Sequence, residues 1–122
     1  MSDLPTILIA DDSAGQRKLL ELMLSDFHVV TAENGDDVLN YLEHGSPDLL
    51  LLDLNMPFAS GLEICKQVKE SLKLASPVVI MTSLTDEKTQ KAVTAARADA
   101  LLYKPVDRTT LRETLERLLN QT

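Results

Sequence analysis

Five polar side chains of this chain stand at the ends of short apolar runs, and together their types suit one chemistry. Asp11 and Asp12 follow Ile7-Leu8-Ile9-Ala10, and Asp53 follows Leu49-Leu50-Leu51-Leu52. Thr82 follows Val78-Val79-Ile80-Met81, and Lys104 follows Ala100-Leu101-Leu102-Tyr103 and precedes Pro105. Three carboxylates, a hydroxyl and an ammonium suit a divalent cation and a phosphoryl group. A carboxylate can attack phosphorus to form an acyl phosphate, and Asp53 is the candidate nucleophile. Crowded carboxylates repel unless a cation sits among them. Mg²⁺ prefers oxygen ligands in a tight octahedron and keeps several waters. Two carboxylates, a backbone carbonyl, waters and a phosphoryl oxygen would complete that shell. Thr82 could donate a hydrogen bond to a phosphoryl oxygen, and Lys104 could pair with another.

Taken singly, each feature has an ordinary reading. An Asp pair after a strand can cap a helix, Thr82 can sit in a turn, and Lys-Pro is common. A lone acid after four leucines says more, because half-burying it is costly unless it is paired. The elements that carry these residues give the set its force. Short apolar runs alternating with helix-like segments read as buried parallel strands. In an open parallel sheet the functional crevice lies beyond the carboxyl ends of the strands, where all five residues fall.

The chain reads as five strand–helix units. The first strand is expected near Ile7–Ala10, followed by a helix starting at Ser13, where Ser13-Ala14-Gly15-Gln16 fits a capping box. Leu19, Leu20, Met23 and Leu24 have the spacing of its buried stripe. His28–Ala32, short and partly polar, suits an edge strand. Asn34-Gly35-Asp36-Asp37 opens a second helix carrying Val38, Leu39 and Leu42 and ending near Gly45. Leu49–Leu52 reads as a central strand. Ser60-Gly61-Leu62-Glu63 is another capping box, with Leu62, Ile64, Cys65, Val68 and Leu72 as the apolar positions of the third helix. Pro77 leads into the fourth strand. Thr85-Asp86-Glu87 starts the fourth helix, acids at the positive end of its dipole, with Ala92, Val93, Ala95 and Ala96 inward. The fifth strand is expected near Ala100–Tyr103. Asp107 caps the fifth helix, whose stripe is Leu111, Leu115, Leu118 and Leu119. Alternating β and α units imply a parallel sheet with helices on both faces; periodicity does not give the strand order.

Composition narrows the function. At 122 residues this is one domain with room for a core. Twelve basic against nineteen acidic residues give a net charge of -7, which argues against a nucleic-acid surface. The single cysteine, Cys65, cannot form an internal disulfide and lies beside an apolar helix face, as core filler does. His28 and His44 belong to no zinc-like pattern; His44 suits the end of the second helix dipole. Met1-Ser2-Asp3-Leu4-Pro5 is neither basic nor followed by a signal-like apolar stretch. No apolar run approaches the roughly 20 residues that span a bilayer, so the expected location is cytoplasmic, with no membrane partner.

The ordered set resembles the receiver domain of two-component response regulators, the CheY-like superfamily. It comprises Asp11-Asp12, the segment Asp53-Leu54-Asn55-Met56-Pro57 with Gly61, Thr82, and Lys104-Pro105, with 29 positions from Asp53 to Thr82 and 22 from Thr82 to Lys104. The match covers essentially the whole chain, residues 1–122 as a single domain, standing alone or belonging to a longer protein. The resemblance implies a flavodoxin-like doubly wound α/β fold, five parallel strands in the order 2-1-3-4-5 flanked by five helices. It implies that Asp53 takes a phosphoryl group from a phosphohistidine on a sensor kinase or histidine phosphotransfer protein. Asp12 and Asp53 would ligate Mg²⁺ directly, Asp11 would act largely through water, and the Asn55 carbonyl would supply another ligand. Thr82 and Lys104 would contact the phosphoryl group. The Lys104-Pro105 bond would be cis. The surface of the fourth helix, fifth strand and fifth helix would change partner binding toward a downstream effector. The domain would catalyse only its own phosphorylation and dephosphorylation, as a monomer or a phosphorylation-dependent dimer.

Three positions depart from the common pattern. Leu101 stands where many receivers carry Tyr or Phe, Ser83 where Ala is frequent, and Arg97 where glycine is frequent. Without a ring at position 101, output is expected to travel by the Thr82–Thr85 loop and the fourth helix, with Tyr103 projecting to the same side as Leu101. Three alternatives fit less well. Asp-nucleophile phosphatases of the haloacid dehalogenase type place the nucleophile after the first strand with a second Asp two positions on, a spacing Asp11-Asp12-Ser13 lacks. Pseudo-receivers, pure interaction modules, usually lack one of the acids or the lysine. A flavodoxin would show a Ser/Thr/Gly phosphate loop where Asp11–Gln16 is acidic.

Overall fold

The computed structural model describes residues 4–120, so Met1–Asp3 of the opening segment lie outside the described residues. Five parallel strands, β1 (Thr6–Ala10), β2 (His28–Ala32), β3 (Leu49–Asp53), β4 (Val78–Thr82) and β5 (Ala100–Tyr103), form one sheet in the order β2-β1-β3-β4-β5. The intervening helices are α1 (Ala14–Met23), α2 (Gly35–His44), α3 (Gly61–Lys66), α4 (Glu87–Ala95) and α5 (Arg108–Leu119). The flavodoxin-like order and the five helices match the expectation.

The pleat sorts the strand residues into two cores. Leu8, Leu50, Leu52 and Ile80 face Val38 of α2, Ile64 and Cys65 of α3 and Val93 of α4. Ile7, Ile9, Leu51, Val79 and Met81 face Leu20 of α1 and Leu111, Leu115 and Leu118 of α5. β3 and β4 are buried at every position, as central strands covered on both faces must be. β2, at an edge, is buried only at Ala32.

The helix starts follow the polar residues before them. Asn34, Asp86 and Asp107 each accept the amide of the residue three positions on. Ser60 and Glu63 exchange the two bonds of a full capping box. Ser13 accepts from the Gln16 amide, the first half of the expected box.

Several inward assignments differ. In α1, Leu20 and Leu24 are buried, but Leu19 is 47% exposed; it lies about 100° around the helix from Leu20, on the shoulder of a stripe that holds only one residue per turn. In α4, Val93 and Ala96 face the core and Ala95 is exposed. The third helix is α-helical only to Lys66 and continues as a π-helical turn over Gln67–Ser71. The wider turn rotates the following residues, so Val68 stays buried while Leu72 emerges. Leu119 is partly buried beside the α5 core.

Candidate functional site

The sheet delivers the site through its own ladder. Beyond the strand ends, the Asp11 amide donates to the Ala32 carbonyl (3.2 Å), Leu54 to Met81 (2.8 Å) and Lys104 to Thr82 (2.8 Å). Asp11, Asp53 and Lys104 therefore leave the sheet with their backbones fixed. Gly61 tightens the loop after β3. Its amide donates to the Leu54 carbonyl at 2.9 Å, and a Cβ there would fall 2.5 Å from the Asp53 carbonyl oxygen. Only glycine lets α3 begin so close to Asp53.

Asp11, Asp12 and Asp53 converge, with a carboxylate oxygen from each lying within 4.8 Å of the others. Asp11 is fully buried, Asp53 nearly so, and Asp12 exposed. The Lys104 ammonium bridges the two buried acids, 3.0 Å from Asp11 Oδ2 and 3.2 Å from Asp53 Oδ1. Asp11 Oδ1 accepts the Ser13 amide, and Asp53 Oδ1 accepts the Asn55 amide at 3.3 Å. Burial, and then the charge of Asp11, push the Asp53 carboxyl above its ordinary value, against the pull of Lys104. Burial pulls the Lys104 ammonium down, but its hydrogen bond to Asp11 and the charges of Asp53 and Asp11 outweigh this and leave it raised.

The donor set fits a hard divalent cation. Three carboxylates and one ammonium leave two negative charges in a half-buried crevice, and the ligand atoms are all oxygen. Asp12 and Asp53 present the accessible oxygens, while Asp11 is held by Lys104 and Ser13.

Thr82, buried at the end of β4, accepts the Leu84 amide on Oγ1 at 3.0 Å and keeps its O–H for donation. Every residue of the expected site thus lies at the carboxyl edge. Arg17 was not expected there. Its guanidinium donates to the Asp11 carbonyl at 2.8 Å and lies 3.6 Å from Glu33. No spacing in the sequence marks an arginine one turn into a helix as a brace for the acidic pair.

Cys65 and Arg97 are held by structural contacts. The Cys65 thiol donates to the Ala96 carbonyl, and burial pushes it up to about 11. Arg97 adopts φ 65°, which explains a glycine preference at that turn, and its guanidinium reaches the Lys69 carbonyl. The Lys104-Pro105 bond is cis. Leu101 packs on the α3–α4 side of the sheet, while Tyr103, 40% exposed, accepts a 2.9 Å hydrogen bond from Gln90 of α4.

The family model for the response regulator receiver domain matches residues 7–116. The chain belongs to this family. This receiver is 36% identical over 101 residues to the transcriptional regulatory protein ResD of Bacillus subtilis, covering 81% of this chain and 41% of that protein. It is 29% identical over 115 residues to the chemotaxis protein CheY of Halobacterium salinarum, covering 93% and 95% of the two chains. The chain thus spans less than half the length of ResD and nearly all of that CheY. Among solved structures, a putative response regulator from Chloroflexus aurantiacus superposes with a TM-score of 0.91 at 28% identity, over 98% of this chain and 100% of that one. CheY4 of Vibrio cholerae gives 0.85 at 30% identity, over 94% and 98%. The receiver is a signalling domain of two-component systems. Among its described residues no helix is long and apolar enough to cross a membrane.

Proposed function

We propose that this receiver, acting as one domain, accepts a phosphoryl group on Asp53 from a phosphohistidine of a sensor kinase or histidine phosphotransfer protein. The observation that carries the reading is the convergence of Asp11, Asp12, Asp53 and Lys104 on one crevice in a chain of this family. An Asp53 oxygen attacks phosphorus, the new O–P bond forms as the N–P bond breaks, and the electron pair returns to the imidazole, which takes up a proton. Mg²⁺, held by Asp12, Asp53 and the Asn55 carbonyl with Asp11 behind, would supply the positive charge that lets an anion approach. Lys104, freed from one of its two carboxylates, pairs with a phosphoryl oxygen, and Thr82 donates to another.

The test is labelling with acetyl phosphate and Mg²⁺, with the adduct mapped by mass spectrometry. Asp53→Ala should abolish the label, and so should EDTA. Asp12→Ala should weaken Mg²⁺ binding more than Asp11→Ala. Undiminished labelling of Asp53→Ala, or equal labelling with and without chelator, overturns the reading.

Output then runs through the Thr82–Thr85 loop into α4 and on to an effector at the α4–β5–α5 face. Support comes from the Leu84 amide resting on Thr82, and from Gln90, whose side-chain amide reaches both the Thr85 carbonyl and Tyr103. In amide NMR spectra with beryllofluoride, Thr82→Ala should blunt the α4 shifts and Leu101→Ala should keep them. The reverse pattern would sink this route.

A further inference from the structure

The loop after β3 holds a side chain that folding does not explain. Phe58 is 77% exposed, more than any other large apolar residue described. Its φ is 74°, a backbone region that any residue with a Cβ disfavours and a bulky one especially. The Ala59 amide donates to the Pro57 carbonyl at 2.9 Å, closing a three-residue turn around Phe58. This is the rare γ-turn with positive φ at its centre. The turn is clamped from behind. The Pro57 carbonyl also accepts the Gly35 amide at 3.2 Å, Ala59 is buried, and a Cβ at Gly35 would fall 2.5 Å from that of Ala59. The other non-glycine residues with positive φ, Lys73 and Arg97, carry polar side chains and lie away from the crevice loops. Among the described residues, only Phe58 presents an aromatic ring to solvent from a clamped, disfavoured backbone.

We propose that Phe58 is a specificity-determining residue for the phosphoryl donor: an anchor that enters an apolar pocket beside the phosphohistidine of the donor protein. The inference rests on the phosphoacceptor reading of Asp53. Asp53 is recessed, 6% exposed, and Phe58 stands five positions after it on the loop that rims the crevice. A protein donor must bring its imidazole into that crevice, so its surface has to cover the rim. A small donor need not touch it. A rigid exposed ring is an efficient anchor, because it buries much apolar area and has little freedom left to lose. Backbone strain maintained by clamping contacts is characteristic of sites selected for something other than stability.

The test compares two donors on the full chain. One is acetyl phosphate; the other is the fastest donor to the wild-type chain from a panel of autophosphorylated sensor kinases. Phe58→Gly relieves the backbone, so its melting temperature should equal or exceed that of wild type. Its labelling by acetyl phosphate should be unchanged, while kcat/KM from the kinase should fall about tenfold or more. Phe58→Tyr, which keeps the ring, should transfer like wild type. Unchanged kinase transfer to Phe58→Gly overturns the proposal, as does an equal fall with both donors. A lower melting temperature overturns it too, by making the ring a packing residue, and so does a panel in which no kinase labels a chain that acetyl phosphate does label. Failure of acetyl phosphate to label wild-type Asp53 is a different result, and removes the phosphoacceptor reading instead.

Discussion

Both edges of the sheet carry aspartates, and they use them in opposite ways. At the amino edge, Asp48 accepts the Thr6 amide at 2.7 Å. Asp99 accepts the Val78 amide and the Lys69 ammonium, each at 2.7 Å. Each of these acids completes the first free N–H of a strand, and each carries its charge beside a donor. At the carboxyl edge, three acids face one another, and a single ammonium serves the two buried ones, Asp11 and Asp53. There the same residue type is buried and set against its own kind, and burial first, then the charge of Asp11, push the Asp53 carboxyl up. A cavity of about 450 Å³ lies at the amino edge, lined by Asp48 and Asp99, but its acids are already engaged. The contrast teaches that an acid marks a candidate site when its neighbours leave its charge unbalanced, whatever the size of the hollow beside it.

The largest test of that contrast is Lys104→Ala. It leaves Asp11 and Asp53 as buried like charges without a counterion, and should cost about 2 kcal/mol after allowance for the partial exposure of the lysine. Urea unfolding should reveal the loss, and millimolar Mg²⁺ should restore part of it by binding the folded state. A variant as stable as wild type without the cation would break the comparison.

Asp99→Ala is the matched change at the other edge. Losing an amide acceptor and an ion pair should cost about 1–2 kcal/mol, with Asp53 labelling by acetyl phosphate untouched. A loss of labelling beyond the loss of folded protein would mean that the two edges are coupled.

The smallest effect has the opposite sign. A carboxyl whose pKa rises on folding holds its proton more tightly in the folded chain than in the unfolded one. Its contribution to stability is therefore full below its unfolded value near 3.9 and falls as pH climbs through the folded value. At neutral pH without a cation the Asp53 carboxylate is a net cost, so Asp53→Asn should stabilise on the order of 1 kcal/mol, the scale of one hydrogen bond. The gain should shrink to nothing toward pH 4. A gain that is constant with pH, or a loss at neutral pH, would show that Lys104 fully balances the site.

The fold was legible because its signals are local and repeated. Four apolar runs, the caps at Asn34, Ser60, Asp86 and Asp107, and strict alternation fix five β–α units through periodicity and capping alone. The strand order came from resemblance, since pairing is a long-range choice on which periodicity is silent. Periodicity does not set burial at the helix shoulders Leu19, Leu72 and Ala95, because a stripe's width depends on what it packs against, and because a π-turn shifts the phase after Lys66.

By itself the sequence determined the edge positions of the candidate site residues: a side chain placed just after a buried parallel strand must emerge at the crevice. Tertiary structure decided which charges meet. It set Lys104 between Asp11 and Asp53, brought Arg17 behind Asp11, tied Tyr103 to Gln90, and turned Phe58 outward on a positive-φ backbone. Each of these contacts joins separate elements or depends on a clamp from a distant loop. Spacing along one chain encodes none of them, because the energy that selects them arises only when the elements pack together.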